Sequence, residues 1–389
     1  MINFNFYSPT KIFFGQDREK EVGSIIKEYG FKKVLLHYGK NSIKKTGLYD
    51  TVVNSLNEAG VSFIELSGVE PNPKIDLVRS GVKLVKEENV DFILAVGGGS
   101  VIDSAKAIAC GAKVDFDPWL FNLHKKTPES ALPVGVILTI SAAGSELSNS
   151  CVISDLETYF KNGFNSDLIR PLFVIENPKL TYTVSKFQTG CGIVDILMHT
   201  LERYFTDTLD IDFAQNIAEG LIKSVIDAGA KAIKNPYDYN ARSTLMIASS
   251  FSHNGLTGLG GKMYFTVHKL EHQVSGTFDR VAHGAGLSVL FPAWAKWVYK
   301  KDLTNFVKFA KNVFGITEGT DEEVALSGIL KLEEFFKSIE MPTTFTELEI
   351  SSDEFDAMAS RITKNDTVKV PGYFELDKKD VLEIFNIAK

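Results

Sequence analysis

Histidines and one aspartate recur at helical spacing in the second half of the chain. Asp195 and His199 stand four residues apart, and His268 and His272 repeat that spacing further along. Residues four apart share one face of a helix, so each pair presents two adjacent ligand groups. His283 follows soon afterwards, directly before a glycine. Such groups in apolar helices are costly unless they are paired or bind a metal, so the pattern predicts a divalent metal site.

The residue types in this set indicate the metal and leave one residue in excess. One carboxylate with several imidazoles suits Fe²⁺ or Zn²⁺ better than Ca²⁺ or Mg²⁺, which prefer oxygen ligands. The five candidates exceed what a catalytic tetrahedral site needs beside its substrate. One histidine is therefore expected to support a ligand or transfer a proton, and spacing alone leaves open which one. His253, beside a glycine-rich loop, is interpreted as a structural residue.

A glycine run in the first half of the chain is a candidate phosphate site. A strand-like apolar segment leads directly into Gly97-Gly98-Gly99-Ser100, and a helical pattern follows. Glycines let the backbone approach a ligand closely, and the N–H groups at a helix N-terminus attract a pyrophosphate. Ser100 is expected to cap this helix, with Asp103 in the capping-box position. The same glycines also suit an ordinary tight turn, so the motif by itself leaves both interpretations open.

The elements around these residues differ between the two halves of the chain. Nearly continuous apolar runs in the first half are typical of parallel strands buried on both faces. They cover 33–38, 62–66, 91–96 and 134–138, and amphipathic helical patterns alternate with them at 17–29, 46–58 and 74–88. From about residue 185 helical periods take over, at 185–206, 210–233, 237–253, 263–276, 285–301 and 321–339. The sequence therefore predicts an α/β domain with a doubly wound parallel sheet over residues 1–184 and an all-helical domain over 185–389.

Composition excludes several classes of protein. The chain has 389 residues, of which 44% are hydrophobic and 23% are charged, and its formal net charge is −7. This acidic balance argues against nucleic-acid and anionic-membrane partners, and no apolar run approaches the roughly 20 residues of a membrane span. The first residues lack the pattern of a signal peptide, and three scattered cysteines fit a reducing compartment. These features indicate a cytoplasmic globular protein.

The motifs taken together resemble the iron-containing (group III) alcohol dehydrogenase family. The resemblance is carried by Gly97-Gly98-Gly99-Ser100-x-x-Asp103-x-x-Lys106, by Asp195-x-x-x-His199, and by His268-x-x-x-His272 followed by His283-Gly284. The segments 38–47, 68–73 and 271–276 are most similar to the NADPH-dependent butanol dehydrogenase and aldehyde reductase branch. The similarity begins near residue 12, ends near residue 374, and so covers nearly the whole chain.

This resemblance implies a role for each motif. A metal, Fe²⁺ first and Zn²⁺ second, would be ligated by Asp195, His199, His268 and His283. His272 would be the catalytic residue beside the nicotinamide and the substrate. The dinucleotide would be bound by Asn72, Gly97, Gly98, Gly99, Ser100, Asp103, Thr139, Ser141 and Lys161. The implied reaction transfers a hydride between NADP(H) and a short- to medium-chain primary alcohol or aldehyde, such as butanol or butanal.

Two related enzymes on the same fold are the alternatives. One is a glycerol dehydrogenase-like zinc enzyme, and the other is a dehydroquinate synthase-like enzyme that acts on an anionic sugar acid. The second alternative would need clustered basic residues near the metal, where this chain has only the dispersed Lys262, Lys269 and Arg280.

The residues after the first apolar run indicate the choice of cofactor. The run 33–38 ends in Gly39, and Lys40 and Ser42 follow, with no acidic residue until Asp50. A carboxylate at this place binds the ribose hydroxyls and repels a 2′-phosphate. Its absence predicts a preference for NADP(H) over NAD(H), with Gly39 and Ser42 lining the cofactor.

The start of the chain alternates apolar and polar residues. The segments 2–6 and 12–14 are expected to form an edge hairpin or strand, and an unpaired edge invites pairing with a second copy of the chain. We therefore predict a homodimer that uses this segment, as the family resemblance also implies.

Overall fold

The computed structural model describes residues 1–389, and the chain divides into two compact units. One unit is Tyr7–Val184, and the other is Ser185–Lys389 together with Met1–Phe6. The first contains a parallel sheet with helices and the second is helical, so the predicted fold class is confirmed. None of the helices combines the length and apolar content that crossing a bilayer requires.

A parallel sheet forms the centre of the α/β unit. Its strands and those of a separate hairpin are β1 (Lys11–Phe14), β2 (Lys33–Tyr38), β3 (Ser62–Leu66), β4 (Phe92–Gly97), β5 (Val134–Leu138), β6 (Ser150–Asp155), β7 (Phe160–Asn165) and β8 (Phe173–Glu176). The six-stranded sheet has the order β1-β8-β5-β4-β2-β3, and every neighbouring pair in it is parallel. The strands β6 and β7 pair with each other in antiparallel fashion.

Helices cover both faces of this sheet. They are α1 (Val22–Glu28), α2 (Ser42–Lys45), α3 (Leu48–Ala59), α4 (Ile75–Glu87), α5 (Gly99–Gly111) and α6 (Trp119–Asn122). On β2, Val34 and Leu36 pack in one core cluster with residues of α1 and α3. His37 points to the opposite face, where its Nε2 lies 2.8 Å from Ser104 Oγ on α5. Burial on both faces explains why the central strands β2, β4 and β5 are largely apolar without alternation.

One contiguous hydrophobic core holds the helical unit together. Its helices are α7 (Lys186–Tyr204), α8 (Asp212–Lys234), α9 (Tyr239–His253), α10 (Thr266–Thr277), α11 (His283–Val298), α12 (Leu303–Phe314), α13 (Asp321–Ser338), α14 (Phe355–Ile362) and α15 (Lys378–Ile387). The first of them begins where the Ser185 side chain accepts a hydrogen bond from the Gln188 N–H, and nearly all of its residues are buried. Helix α7 is therefore a rigid central element on which side chains can be positioned.

The start of the chain differs from the sequence-based expectation. Residues 2–6 form no strand, so the predicted edge hairpin is wrong. Instead the Ile2 N–H donates to the Gly260 carbonyl at 2.8 Å, and the Met1 amino group donates to the Leu209 carbonyl at 2.7 Å. These bonds join Met1–Phe6 to the helical unit rather than to the α/β unit. Strand β1 does lie at an edge of the sheet, and the homodimer stays a prediction.

Candidate metal and dinucleotide sites

Three helices of the helical unit bring the four predicted metal ligands together. Asp195 and His199 lie one turn apart on α7, His268 lies in the first turn of α10, and His283 is the first residue of α11. The Asp195 Oδ1 atom lies 3.4 Å from His199 Nδ1, 3.6 Å from His268 Nε2 and 3.8 Å from His283 Nε2. The four residues are called the ligand cluster below, and its three histidines lie around one carboxylate oxygen of the fourth.

The donor atoms of the ligand cluster fit a divalent ion. Asp195 Oδ1, His199 Nδ1 and His268 Nε2 are buried, and none of the three has a hydrogen-bond partner in the protein. A tetrahedral ion with bonds of about 2.1 Å separates its ligands by about 3.4 Å, close to the spacings around Asp195. Buried polar atoms without partners are costly, and a shared cation removes that cost. The residues present therefore suit the metal that the sequence predicts.

Burial and neighbouring charges act differently on two histidines of the cluster. Burial, together with the nearby His253 and His268, holds the pKa of His199 well below its usual value, so this imidazole is neutral. Burial also disfavours a charge on His268, but Glu202 and Asp195 outweigh it and raise the pKa of His268 to about 9. Because a metal needs an unprotonated nitrogen, metal binding would displace a proton from His268.

Two buried glutamates contact the outer nitrogens of two ligands. Glu202 on α7 accepts a hydrogen bond from His268 Nδ1, and Glu271 on α10 accepts one from His283 Nδ1. The sequence analysis missed both glutamates. Their spacing could have identified them, because each glutamate lies three residues after a predicted ligand on the same helix, Glu202 after His199 and Glu271 after His268.

His272 and His253 lie beside the ligand cluster. The ring centroid of His272 is 5.4 Å from that of His283 and 6.4 Å from that of His268. The His253 ring lies 4.0 Å from the His199 ring, and its Nδ1 is 3.0 Å from Arg203 Nη2. His272 is thus adjacent to two ligands, whereas His253 packs against a third.

The predicted dinucleotide residues follow the carboxyl ends of neighbouring strands. Gly39 follows β2, Asn72 follows β3, Gly97 ends β4 and Thr139 follows β5. Ser141 lies in the loop that Thr139 begins. The chain passes from β2 to β3 on one side and from β4 to β5 on the other, so the strand order reverses between β2 and β4. Open α/β sheets bind their ligands at this reversal.

The turn between β4 and α5 needs its glycines for close packing. A Cβ at Gly98 would lie 2.2 Å from Ile140 Cγ2, and a Cβ at Gly97 would lie 2.5 Å from Val101 Cγ2. A Cβ at Gly99 would stand 3.0 Å from the Ala143 side chain. The loop after β5 therefore approaches the glycines directly, which also suits the interpretation of the motif as a tight turn.

The first turn of α5 nevertheless offers two backbone donors. The helix begins at Gly99 with Gly98 as its cap, so the predicted capping role of Ser100 is wrong. The N–H groups of Val101 and Ile102 donate to the Gly98 carbonyl. This leaves the N–H groups of Gly99 and Ser100 without an acceptor inside the helix, and such donors suit a phosphate.

Asp103 also differs from its predicted capping role. Its carboxylate accepts hydrogen bonds from Ser145 Oγ at 2.5 Å and from the Val152 N–H at 2.9 Å. These bonds connect α5 to the segment that follows β5. The Asp103 carboxylate uses its oxygens for them rather than for a capping bond at the start of α5. Lys161 lies on β7, and its charge acts on the Asp103 carboxylate.

Lys106 lies one turn beyond Asp103 on α5 and binds the same segment that follows β5. Its side chain is fully buried, and its ammonium group donates to the carbonyls of Ser145, Ser148 and Ser150 at 2.6, 3.0 and 2.9 Å. Burial lowers the pKa of Lys106 to about 8. The sequence analysis quoted Lys106 only as part of a motif and assigned it no role.

Comparisons with known proteins agree with this arrangement. The family described as "Iron-containing alcohol dehydrogenase" matches residues 9–178, and "Fe-containing alcohol dehydrogenase family, C-terminal" matches residues 189–388. Together the two matches span most of both units.

Individual relatives are similar over nearly their full length. A probable NADH-dependent butanol dehydrogenase of Bacillus subtilis is 40% identical and covers 100% of each chain, and an NADPH-dependent aldehyde reductase of Escherichia coli is 35% identical with 94% of each covered. The crystal structure of an NADH-dependent butanol dehydrogenase A from Thermotoga maritima matches with a TM-score of 0.96 at 38% identity, over 100% of this chain and 99% of that one. The chain therefore belongs to the iron-containing alcohol dehydrogenase family.

Proposed function

We propose that this enzyme transfers a hydride between NADP(H) and a short- to medium-chain primary alcohol or aldehyde, such as butanol and butanal. As a member of its family it is an alcohol dehydrogenase or aldehyde reductase. The observation that carries the proposal is the ligand cluster, in which three buried ligand atoms lie close together and none has a hydrogen-bond partner in the protein. Two relatives named butanol dehydrogenase and one named aldehyde reductase support the substrate class.

We assign the metal to Asp195, His199, His268 and His283. A bound Fe²⁺ or Zn²⁺ would polarise the carbonyl oxygen of the aldehyde, while the nicotinamide supplies the hydride. The chain contributes three buried ligands, since Asp195, His199 and His268 are no more than 6% exposed, and one partly exposed ligand, His283. Few water molecules can then compete with the substrate for the position that the ligands leave open.

We assign proton transfer at the substrate oxygen to His272. Its half-buried ring lies beside the rings of His268 and His283, which places it next to the ligand cluster. An imidazole exchanges protons near neutral pH, as a general acid for aldehyde reduction requires.

We assign dinucleotide binding to the carboxyl edge of the sheet. The N–H groups of Gly99 and Ser100 would hold the pyrophosphate at the start of α5, with Gly97 and Gly98 allowing its close approach. The other members of the site are Gly39, Ser42, Asn72, Asp103, Thr139, Ser141 and Lys161. The position of the strand-order reversal supports this assignment.

The geometry around the basic residues disfavours the dehydroquinate synthase-like alternative. Lys262 pairs with Asp207 at 2.9 Å, and Arg280 donates to the carbonyls of Leu348 and Glu349. These cations are held by neighbours in the fold, whereas an anionic sugar acid would need them free to converge on the substrate.

The choice between NADP(H) and NAD(H) rests on the residues after β2, because named relatives use either cofactor. No carboxylate stands at Gly39, and Nζ of the adjacent Lys40 lies 2.5 Å from Glu70 Oε1. Lys44 lies over the ring of Tyr49 at 4.7 Å. An uncharged Gly39 imposes no like-charge repulsion on a 2′-phosphate, which supports the preference for NADP(H).

Gly39→Asp is expected to shift this preference toward NADH. A Cβ at Gly39 would meet only the Val69 carbonyl, at 3.5 Å, so a side chain can start there without moving the backbone. The added charge should change the ratio of kcat/KM values by about 1–3 kcal/mol, or roughly 5- to 150-fold. Steady-state kinetics with both cofactors measure the ratio, with Asn54→Asp on the exposed side of α3 as the control. A wild-type enzyme that prefers NADH would show that Gly39 does not face the ribose.

A turnover assay tests the proposed function as a whole. Protein depleted of metal and reloaded with Fe²⁺ or Zn²⁺ should oxidise NADPH in the presence of butanal and should be inactive before reloading. The assay should be repeated with glycerol and NAD⁺, because preferred turnover of glycerol would favour the glycerol dehydrogenase-like alternative. Absence of turnover with every primary aldehyde from propanal to octanal, in metal-loaded protein, would contradict the proposal.

A further inference from the structure

We propose that Glu202 and Glu271 are positioning residues that orient His268 and His283 and thereby raise the affinity of the ligand cluster for its metal. The inference rests on the metal site of the proposed function and adds two residues that act through the ligands.

Both histidines have a carboxylate group near each of their two ring nitrogens, and only the one at Nδ1 is hydrogen-bonded. The Nε2 atoms of His268 and His283 lie 3.6 and 3.8 Å from Asp195 Oδ1, while their Nδ1 atoms contact Glu202 and Glu271. A carboxylate accepts hydrogen bonds, so Nδ1 carries a proton, and in the neutral ring Nε2 is the nitrogen whose lone pair is left for a metal. The two glutamates therefore select the tautomer that a metal ion requires.

Glu202 fixes the backbone of His268 as well as its ring. One oxygen accepts from the Val267 N–H at 2.6 Å, and the other accepts from the His268 N–H at 3.1 Å and from His268 Nδ1. Helix α10 starts after Phe265, whose side chain gives no capping bond, so the Glu202 carboxylate caps α10 from outside. Glu202, His199 and Asp195 all lie on α7. This one helix therefore carries two of the assigned ligands and also positions a third, His268 of α10.

Glu271 occupies a space that a glycine leaves open. Its side chain is completely buried, and a Cβ at Gly286 would lie 2.7 Å from Glu271 Cγ. Gly286 and His283 lie one turn apart at the start of α11. The close approach of α11 to Glu271 thus allows this carboxylate to reach the ring of His283.

The expected effect follows from the chemistry of imidazole ligands. A carboxylate on the outer N–H increases the electron density at the inner nitrogen and prevents the ring from turning, and losing such a partner typically weakens metal binding about 10- to 100-fold. A glutamate with only a structural role would change the stability of the metal-free protein and leave the intrinsic affinity for metal unchanged.

Cobalt binding to the full-length protein tests the proposal directly. Metal-free wild type, Glu202→Gln and Glu271→Gln are titrated with Co²⁺ against a competing chelator, and the visible absorption of bound Co²⁺ reports the geometry of its ligands. We expect both variants to bind Co²⁺ about 10- to 100-fold more weakly, with a changed absorption band. At position 202 a glutamine offers one oxygen where the glutamate used two, so one N–H of α10 loses its acceptor.

A matched control is available in the same unit. Glu219 on α8 is buried and accepts from Tyr204 Oη and Asn312 Nδ2, so Glu219→Gln removes a buried carboxylate that contacts no ligand. Its Co²⁺ affinity and absorption should match wild type. Thermal unfolding of all metal-free variants separates loss of folding from loss of affinity.

A second variant displaces the Glu271 side chain without replacing a charged residue. Gly286→Ala places a methyl group against the Glu271 side chain and should weaken Co²⁺ binding in the same direction as Glu271→Gln. His268→Ala tests the metal site separately from the positioning roles, because wild-type Co²⁺ binding by this variant would overturn the metal site itself. If His268→Ala loses Co²⁺ while Glu202→Gln, Glu271→Gln and Gly286→Ala bind it as wild type does, the positioning roles are overturned and the metal site stands.

Discussion

Replacing His268 with alanine is expected to remove the metal and to lower kcat/KM by at least about a thousandfold. A metal held by these residues would supply, as a Lewis acid, several kcal/mol of barrier reduction, and each 1.36 kcal/mol corresponds to about a factor of ten. Asp195→Ala should have the same effect, because Asp195 Oδ1 is the atom around which the other ligands lie. Elemental analysis measures the metal, and fluorescence titration measures NADPH binding. NADPH affinity should stay close to wild type, since the assigned dinucleotide residues belong to the other compact unit.

His272→Ala is the matched control for this experiment, since it removes an imidazole one turn further along α10. The variant should retain its metal and lose about 10²- to 10⁴-fold in kcat, the usual contribution of a general acid. Full metal content in His268→Ala combined with an empty His272→Ala would reverse the assignment of these two histidines.

The sheet could be predicted where its strands are buried on both faces. The apolar runs 33–38 and 134–138 coincide with β2 and β5, because burial from both sides permits no polar alternation. The run 62–66 coincides with β3, an edge strand that is only partly buried. The sequence does not predict strand β7, since its residues Phe-Lys-Asn-Gly-Phe-Asn pair only with β6 and are mostly no more than partly buried. Helix α14 has 8 residues, too few to show a helical period.

The candidate site could be predicted only in part, because some of its residues are defined by how the helices pack. The spacing of Asp195 and His199 placed both on one helical face, but the choice between His268 and His272 depends on how α10 packs against α7. Glutamates are common on helices, so Glu202 was indistinguishable from a solvated residue until its burial was known. Side chains that act through tertiary contacts leave little trace in local sequence.

Lys106 is the second residue whose replacement should have a large effect. Its ammonium group donates to three carbonyls of the segment 145–150, and it faces the charge of Asp103 in a fully buried position. Lys106→Met keeps the apolar stem of the side chain but removes the ammonium group, which leaves these acceptors without a donor and Asp103 without a cation. We expect the free energy of unfolding to fall by about 3 kcal/mol or more.

The same substitution should weaken NADPH binding at least about tenfold, which corresponds to 1.4 kcal/mol. The segment that Lys106 holds continues from the loop carrying Thr139 and Ser141, so its loosening disturbs the assigned dinucleotide site. Metal content should not change, because the ligand cluster lies in the other unit. Lys83→Met, which removes an exposed lysine of α4 paired with Glu87, serves as the control and should bind NADPH as wild type does.

The pH dependence of NADPH binding distinguishes a direct role of this ammonium group from a general loss of stability. Burial lowers the pKa of Lys106 to about 8, so the group loses its proton in the folded protein at a pH where exposed lysines keep theirs. A neutral amine has only two N–H donors for its three carbonyl acceptors. Wild-type affinity for NADPH should therefore decrease as the pH rises from 7 to about 9.5, whereas the affinity of Lys106→Met should remain constant. Parallel pH profiles for the two proteins would show that the charge of Lys106 does not organise the segment.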